Sequence, residues 1–160
     1  MHSPPKFSEP YAEQNVKLAN FYGMIANIDE NVGTLRSFLK EEGLFENTIF
    51  IFTTDNGTAA GAKVFNDGMR GNKGSEYDGG HRVPMFINWP AGKLGAGMDE
   101  TTGGGDVNQI TAHVDVLPTL IDLCGIASPE GVKFDGSSIC LLYTSPSPRD
   151  LSTSRMPSSA

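Results

Sequence analysis

The sequence predicts an α/β fold, and three features carry that prediction. From about Asn15 to Glu42, apolar residues recur every three or four positions. A continuous apolar run follows over Thr48–Phe52, which suits a strand covered on both faces, as in parallel sheets. A second short run, Val83–Trp89, then precedes another helical stretch. Helix, strand, strand and helix, separated by glycine-rich loops, fit helices layered on a sheet. The strands are too few for a complete sheet, so the chain is expected to be an excerpt of a larger domain.

Each element has a local justification. Leu18, Phe21, Tyr22, Ile25, Ile28, Val32, Leu35 and Leu39 fall on one face of a helix. Gly43 stands where a C′ glycine ends it. Gly23 and Gly33 lie inside the pattern, and each costs about 1 kcal/mol relative to alanine, so this helix depends on packing. A turn at Glu46-Asn47 leads into the first strand. Pro84 confines the second strand to a strand start or a bulge, because proline cannot donate to the ladder. "HVDVLPTLIDLCG" reads as a short helix with Pro118 in its first turn and Gly125 as its stop. No internal repeat is present.

At 160 residues the chain is long enough for one domain with a real core. A net charge of −7 argues against nucleic acid or an anionic membrane as partner. No apolar run approaches the roughly 18 residues of a membrane span. The opening "MHSPPKFSEP" lacks the basic and apolar regions of a signal peptide. Cys124 and Cys140 are too few for a disulfide framework and have no metal-ligand spacing. Nineteen glycines, clustered between residues 57 and 105, point to long shaped loops on a small set of regular elements.

The texture changes at Cys140. "CLLYTSPSPRDLSTSRMPSSA" holds three prolines and six serines in 21 residues and has no periodicity after Leu142. Such composition describes a disordered Ser/Pro tail. It also resembles the translation of a transposon-end adapter from DNA library preparation: a fixed "CLLYTSPSPRD", a short variable index, then a fixed "SRMPSSA". That reading demands an Ile139 codon ending in C and a Thr153 codon ending in A, which both amino acids permit. The expectation is therefore a natural part over residues 1–139 and a non-native tail over 140–160.

Chemistry is expected where the first strand ends. In open α/β sheets, ligands sit beyond the carboxyl ends of the strands. There "IFIFTTDNGT" delivers Asp55 and Asn56, hard oxygen donors of the kind Ca²⁺ and Mg²⁺ prefer. An Asx-type turn is the alternative, because "DNG" is also a turn signature. Asn56-Gly57-Thr58 matches a glycosylation sequon, a pattern too common to weigh. The next loop, "MRGNKGSEYDGGHRVP", places Arg70, Lys73, His81 and Arg82 among glycines. Glycines let backbone approach a ligand closely, and cations beside a metal suit a sulfate or phosphate ester. Solvated cations, or pairs with Glu76 and Asp78, are the competing reading.

"FYGMIANIDENVGTL", "NTIFIFTTDNG", "MRGNKGSEYDGGHRVPMFINWP", "HVDVLPTLIDLCGI" and "FDGSSI" occur in the order and approximate spacing of the type I sulfatases of the alkaline-phosphatase superfamily. The resemblance covers nearly all of residues 1–139. It implies the carboxyl-side portion of a sulfatase catalytic domain, an α/β sandwich around a mixed, mainly parallel sheet. It also implies a periplasmic or extracellular enzyme, acting in its complete form on a sulfated carbohydrate or aryl sulfate. By the same resemblance, Asp55 and Asn56 match the second pair of ligands to an active-site Ca²⁺. Lys73 matches a lysine that contacts the sulfate and aids the leaving oxygen, and His2 a histidine that hydrogen-bonds the ester sulfate. A loop-holding role is expected for His81 and Arg82, and capping and core hydrogen bonding for His113 and Asp115. The chain departs from the family pattern at Asp78, where glutamate is commoner, and at Asn72, where glycine is.

These enzymes use a formylglycine made from cysteine or serine in a C-x-P-S-R context, whose hydrate attacks sulfur, expels the alcohol and then eliminates sulfate. Here Cys124 is followed by "GIASP" and Cys140 by "LLYTS", and the family's first pair of metal carboxylates is absent. Ca²⁺ takes about 6–8 oxygen ligands, which Asp55 and Asn56 do not supply. The expectation is a fragment carrying half of the Ca²⁺ site and the sulfate-binding residues, inactive alone. A related phosphodiesterase or phosphonate-ester hydrolase, and a non-catalytic Ca²⁺-dependent binding module, are the alternatives.

Overall fold

The computed structural model describes residues 2–92, 94 and 109–140. Most of the tail read as adapter, residues 141–160, therefore lies outside the described residues. The chain divides into two compact units, residues 1–87 and 88–160.

The first unit is built on one long helix. A short α1, Pro5–Ser8, and a 3-10 turn, Glu9–Tyr11, precede α2, Val16–Glu41. The ends of α2 are set by local chemistry. Asn15 is the N-cap, and its side-chain oxygen accepts the Leu18 N–H at 3.1 Å. At the other end Gly43 takes a φ of +69°, Leu44 N–H donates to the Leu39 carbonyl, and Gly43 N–H donates to that of Lys40. This is a Schellman stop, which glycine enters without the Cβ penalty.

Gly23 has a packing reason. A Cβ there would come within 2.6 Å of Ser3 Oγ and 3.0 Å of the Ser8 backbone, so α1 lies directly on this turn of α2. Ser3, only 2% exposed, donates its N–H to Asn20 Oδ1 at 2.9 Å. Phe7 and Ala19 are buried in the same contact, and the Tyr11 and Tyr22 rings lie 5.4 Å apart. The Lys6–Glu30 ion pair at 2.8 Å is exposed and adds little. Further along, Ile25, Ile28 and Leu35 stay about half exposed while Val32 and Leu39 are half-buried, so the predicted apolar face is covered only in part among the described residues.

A 3-10 turn, Phe45–Asn47, leads into β1, Phe50–Thr53, which pairs with β2, Met85–Asn88. Pro84 immediately precedes β2, where its missing N–H costs no ladder bond. Between the strands lies α3, Asp78–His81, a helical turn that its paired glycines concealed from sequence reasoning. The expectation that β1 is covered on both faces is met only in part. Its first three residues are half-buried and Thr53 is exposed, since among the described residues β2 is its sheet partner and no further strand flanks it.

In the second unit, a 3-10 turn, His113–Asp115, runs into α4, Val116–Leu123. Gly125, at a φ of +60°, ends α4, with Ile126 N–H donating to the Ile121 carbonyl. The Asp115 carboxylate accepts the N–H groups of Ala112 at 2.8 Å and Ser137 at 2.9 Å. Thr119 Oγ1 donates to the Asp115 carbonyl and accepts the Ile139 N–H at 3.0 Å. "HVDVLPT" and "FDGSSI" are thus tied together, and a Cβ at Gly136 would overlap the Val114 carbonyl.

The Ser137 and then the Ala112 hydrogen bond hold the Asp115 carboxyl below its ordinary value of 3.8. A lowered folded pKa contributes stability that is complete above the unfolded pKa and is lost as pH falls through the folded one. Melting temperature is therefore expected to fall below about pH 4, and Asp115→Asn to flatten that acid limb. Thermal melts of both proteins from pH 2 to 7 test this, and parallel acid limbs would discard Asp115 as their source.

Candidate functional site

Beyond β1 the chain bends through Thr54, Asp55 and Asn56, with Thr54 Oγ1 donating to the Asn56 carbonyl at 3.3 Å. Asp55 is exposed and Asn56 half-buried. Among the described residues, neither side chain closes an Asx turn, caps a helix or pairs with a cation. Two oxygen donors thus stand side by side at the strand end with their side chains uncommitted.

Glycines fasten this bend to the following loop. Gly57 N–H donates to the Gly80 carbonyl at 2.9 Å, and a Cβ at Gly57 would overlap the Gly79 carbonyl. Gly79 and Gly80 are both buried. A Cβ at Gly79 would overlap the Gly71 carbonyl, and one at Gly80 would overlap that of Ser75. The segments 55–58, 70–75 and 77–81 are therefore stacked at backbone contact distance, which side chains at these positions would prevent. Two more bonds hold the stack: Lys73 N–H to the Thr58 carbonyl at 3.0 Å, and Gly79 N–H to that of Arg70 at 2.8 Å.

The cations of the loop take different roles. Lys73 is exposed, its backbone is pinned to Thr58, and among the described residues no carboxylate pairs with it. The Arg70 guanidinium lies over the Tyr77 ring, 3.6 Å from its centroid, instead of pairing with Glu76 or Asp78. His81 Nε2 lies 3.1 Å from the Glu76 carbonyl and Arg82 N–H donates to that of Asp78, contacts that hold the loop.

Asp55, Asn56 and Lys73 are thereby brought into one hydrogen-bonded loop cluster. Ser3, the neighbour of His2, is bonded to Asn20 on α2, and Gly61 packs against the ring of Phe21 on the same helix, but among the described residues no hydrogen bond or ion pair joins His2 to the cluster. His2 itself is exposed. Among the described residues no group of three or more His, Cys, Asp or Glu side chains converges on a metal position. Sequence reasoning missed the Gly57–Gly79–Gly80 stack and the side-chain amide of Asn66, which donates to the carbonyls of Met69 and Gly71, both at 2.8 Å. The glycine doublet was its only visible signal.

Oxygen donors and a lysine loop lie together beyond a strand end, the place where open α/β sheets meet their ligands, which leaves a broad class of α/β proteins. Comparison with known proteins narrows it. Residues 1–126 match the sulfatase family model, and the chain belongs to the sulfatase family. It is 32% identical to human arylsulfatase A over 154 residues, spanning 92% of this chain and 28% of that protein. It is 33% identical to the ulvan-active sulfatase of Formosa agariphila over 144 residues, 90% of this chain and 25% of that one. The crystal structure of Ps i-CgsB in complex with k-i-k-neocarrahexaose superposes with a TM-score of 0.73 at 26% identity, covering 86% of this chain and 29% of that one. The chain thus spans about a quarter of the length of the curated relatives it matches. Its fold is part of the α/β alkaline-phosphatase-like sulfatase domain, in agreement with the sequence expectation.

Proposed function

We propose that this chain is the carboxyl-side part of a sulfatase catalytic domain whose complete form hydrolyses sulfate esters of a carbohydrate. The observation that carries the proposal is the Thr58–Lys73 backbone bond, with its Gly57–Gly80 neighbour, which joins the strand-end donors to the loop lysine within a sulfatase-family chain. Asp55 and Asn56 fit Ca²⁺ in donor type, since both offer hard, uncommitted oxygens. They do not reach its donor number, so the remaining ligands come from outside this chain's described residues. Bound Ca²⁺ supplies charge neutralisation for the sulfate. Lys73 donates to the sulfate and supports the departing oxygen, and His2 hydrogen-bonds the ester group. The nucleophile is not among these residues, because no C-x-P-S-R motif occurs in the sequence. The relative named for ulvan and the neighbour bound to neocarrahexaose support a sulfated carbohydrate as substrate, and the arylsulfatase relatives keep an aryl sulfate as the alternative. We place the complete enzyme in the periplasm or outside the cell; no helix of the described residues is long and apolar enough to cross a membrane.

The test is inorganic sulfate release from a sulfated oligosaccharide by the full-length polypeptide that carries this segment. Activity should disappear on chelation and return with Ca²⁺, and the 160-residue chain alone should release none. Cleavage of phosphodiesters without sulfate release would instead make the parent a phosphodiesterase of the same superfamily. Stoichiometric Ca²⁺ binding by the 160-residue chain, with a raised melting temperature, would make it a self-contained binding module.

A further inference from the structure

The Thr58–Lys73 bond also closes a loop. Residues 59–72 leave and re-enter the structure through this single neck, the arrangement of an Ω-type loop. The loop is internally built. Val64 and Phe65 both donate their N–H groups to the Gly61 carbonyl, at 2.9 and 3.0 Å, in one helical turn. The chain then reverses through Asn66–Met69, with φ of +51° at Asp67 and +71° at Gly68 and a Met69 N–H to Asn66 carbonyl bond of 2.9 Å. Positive φ at both central residues marks a type I′ turn, and "NDG" supplies the residues that tolerate it. The Asn66 amide clamps this turn to the carbonyls of Met69 and Gly71.

Phe65 sits between the helical turn and the β-turn, fixed on both sides, yet it is 75% exposed. Its situation differs from that of Ile25, Ile28 and Leu35, which form a stripe along a helix. Phe65 stands on an excursion rooted at the Thr58–Lys73 bond, the same bond that ties the strand-end bend to the lysine loop. A rigid aromatic ring binds at low entropic cost, and its face packs well on the C–H face of a pyranose.

We propose that Phe65 is a specificity-determining residue: a stacking platform for a sugar ring flanking the sulfated one in an oligosaccharide substrate. The proposal rests on the sulfatase reading above. It explains why an exposed phenyl ring is held by a loop with so many internal hydrogen bonds, and why that loop is rooted on Lys73.

In the full-length enzyme, Phe65→Ala should lower kcat/KM for a sulfated oligosaccharide by about 5- to 30-fold, carried by KM. The loss on the corresponding sulfated monosaccharide should be several-fold smaller, because the flanking ring is absent. Phe65→Tyr, which keeps the aromatic face, should restore most of the oligosaccharide preference. Equal losses on both substrates, together with a lower melting temperature for Phe65→Ala, would show that the ring is packing and overturn the proposal while leaving the sulfatase reading intact. A wild-type enzyme that releases sulfate from neither substrate overturns the sulfatase reading and this proposal together.

Discussion

Lys73→Ala in the full-length enzyme should lower kcat for a sulfated carbohydrate by about 10²–10³-fold, the usual loss when one preorganised donor to developing charge is removed. The structure separates side chain from backbone at this position. The Lys73 N–H, not its ammonium, makes the bond to Thr58, so alanine keeps the loop neck closed. Loss of activity would then report the missing cation and not a displaced loop. If the lysine supports the departing oxygen, the loss should grow with leaving-group basicity, being larger for a sugar alcohol than for a nitrophenol. Lys73→Arg should recover only part of the rate, because a planar fork does not reproduce a compact point charge. A series of aryl sulfates of graded leaving-group pKa measures this directly. A loss confined to KM and independent of the leaving group would remove Lys73 from the bond-breaking step and leave it as a binding group.

The second large effect is expected from a single methyl group. Gly57→Ala should destabilise the protein by about 1–3 kcal/mol, the range for overpacking a well-fitted site. Gly57 has no left-handed φ, so alanine meets no conformational penalty there, and the cost is steric. The atom in the way is the Gly79 carbonyl oxygen, part of the backbone, which cannot swing aside as a long side chain would. The two segments must part, which weakens the Gly57–Gly80 bond and with it the neighbouring Thr58–Lys73 bond. Because Asp55 and Asn56 are carried on the same bend, activity should fall about 10²-fold, the cost of roughly 1 Å of misplacement. Gly33→Ala serves as the contrast. Nothing lies within 4 Å of a Cβ at Gly33, and in a helix interior alanine should gain about 1 kcal/mol. Urea denaturation of the two variants tests the pair of claims. Equal stability changes would mean that the glycine stack does not hold the loops together.

Features governed by nearest neighbours were legible in the order of residues alone. The glycine stops at Gly43 and Gly125 and Pro84 at the entry to β2 follow from chemistry within a few residues of each element end. The motifs around "TDNG" and "GNKG" also identified the family, because several linked signatures in one order are specific even when each is short. Burial was read less well. The apolar stripe of α2 and the run at β1 were expected to be covered, whereas Ile25, Ile28 and Leu35 are about half exposed and Phe50–Phe52 only half-buried among the described residues. An apolar pattern states which face wants cover, and says nothing about how much cover this stretch of chain provides.

The sequence by itself determined the class of fold, the glycine stops of α2 and α4 and the family, and it named the residues expected to meet a cation or a sulfate. Only the tertiary structure decided that Thr58 would close on Lys73, that Gly57 would lie flat on Gly79 and Gly80, and that Asp115 would reach across to Ser137. The reason is physical. Capping and periodicity are local and repeat from protein to protein, so residue type reveals them. A close approach of two backbones depends on what stands opposite, fifteen or more residues away in sequence in these three contacts, and a glycine carries no side chain to announce its partner.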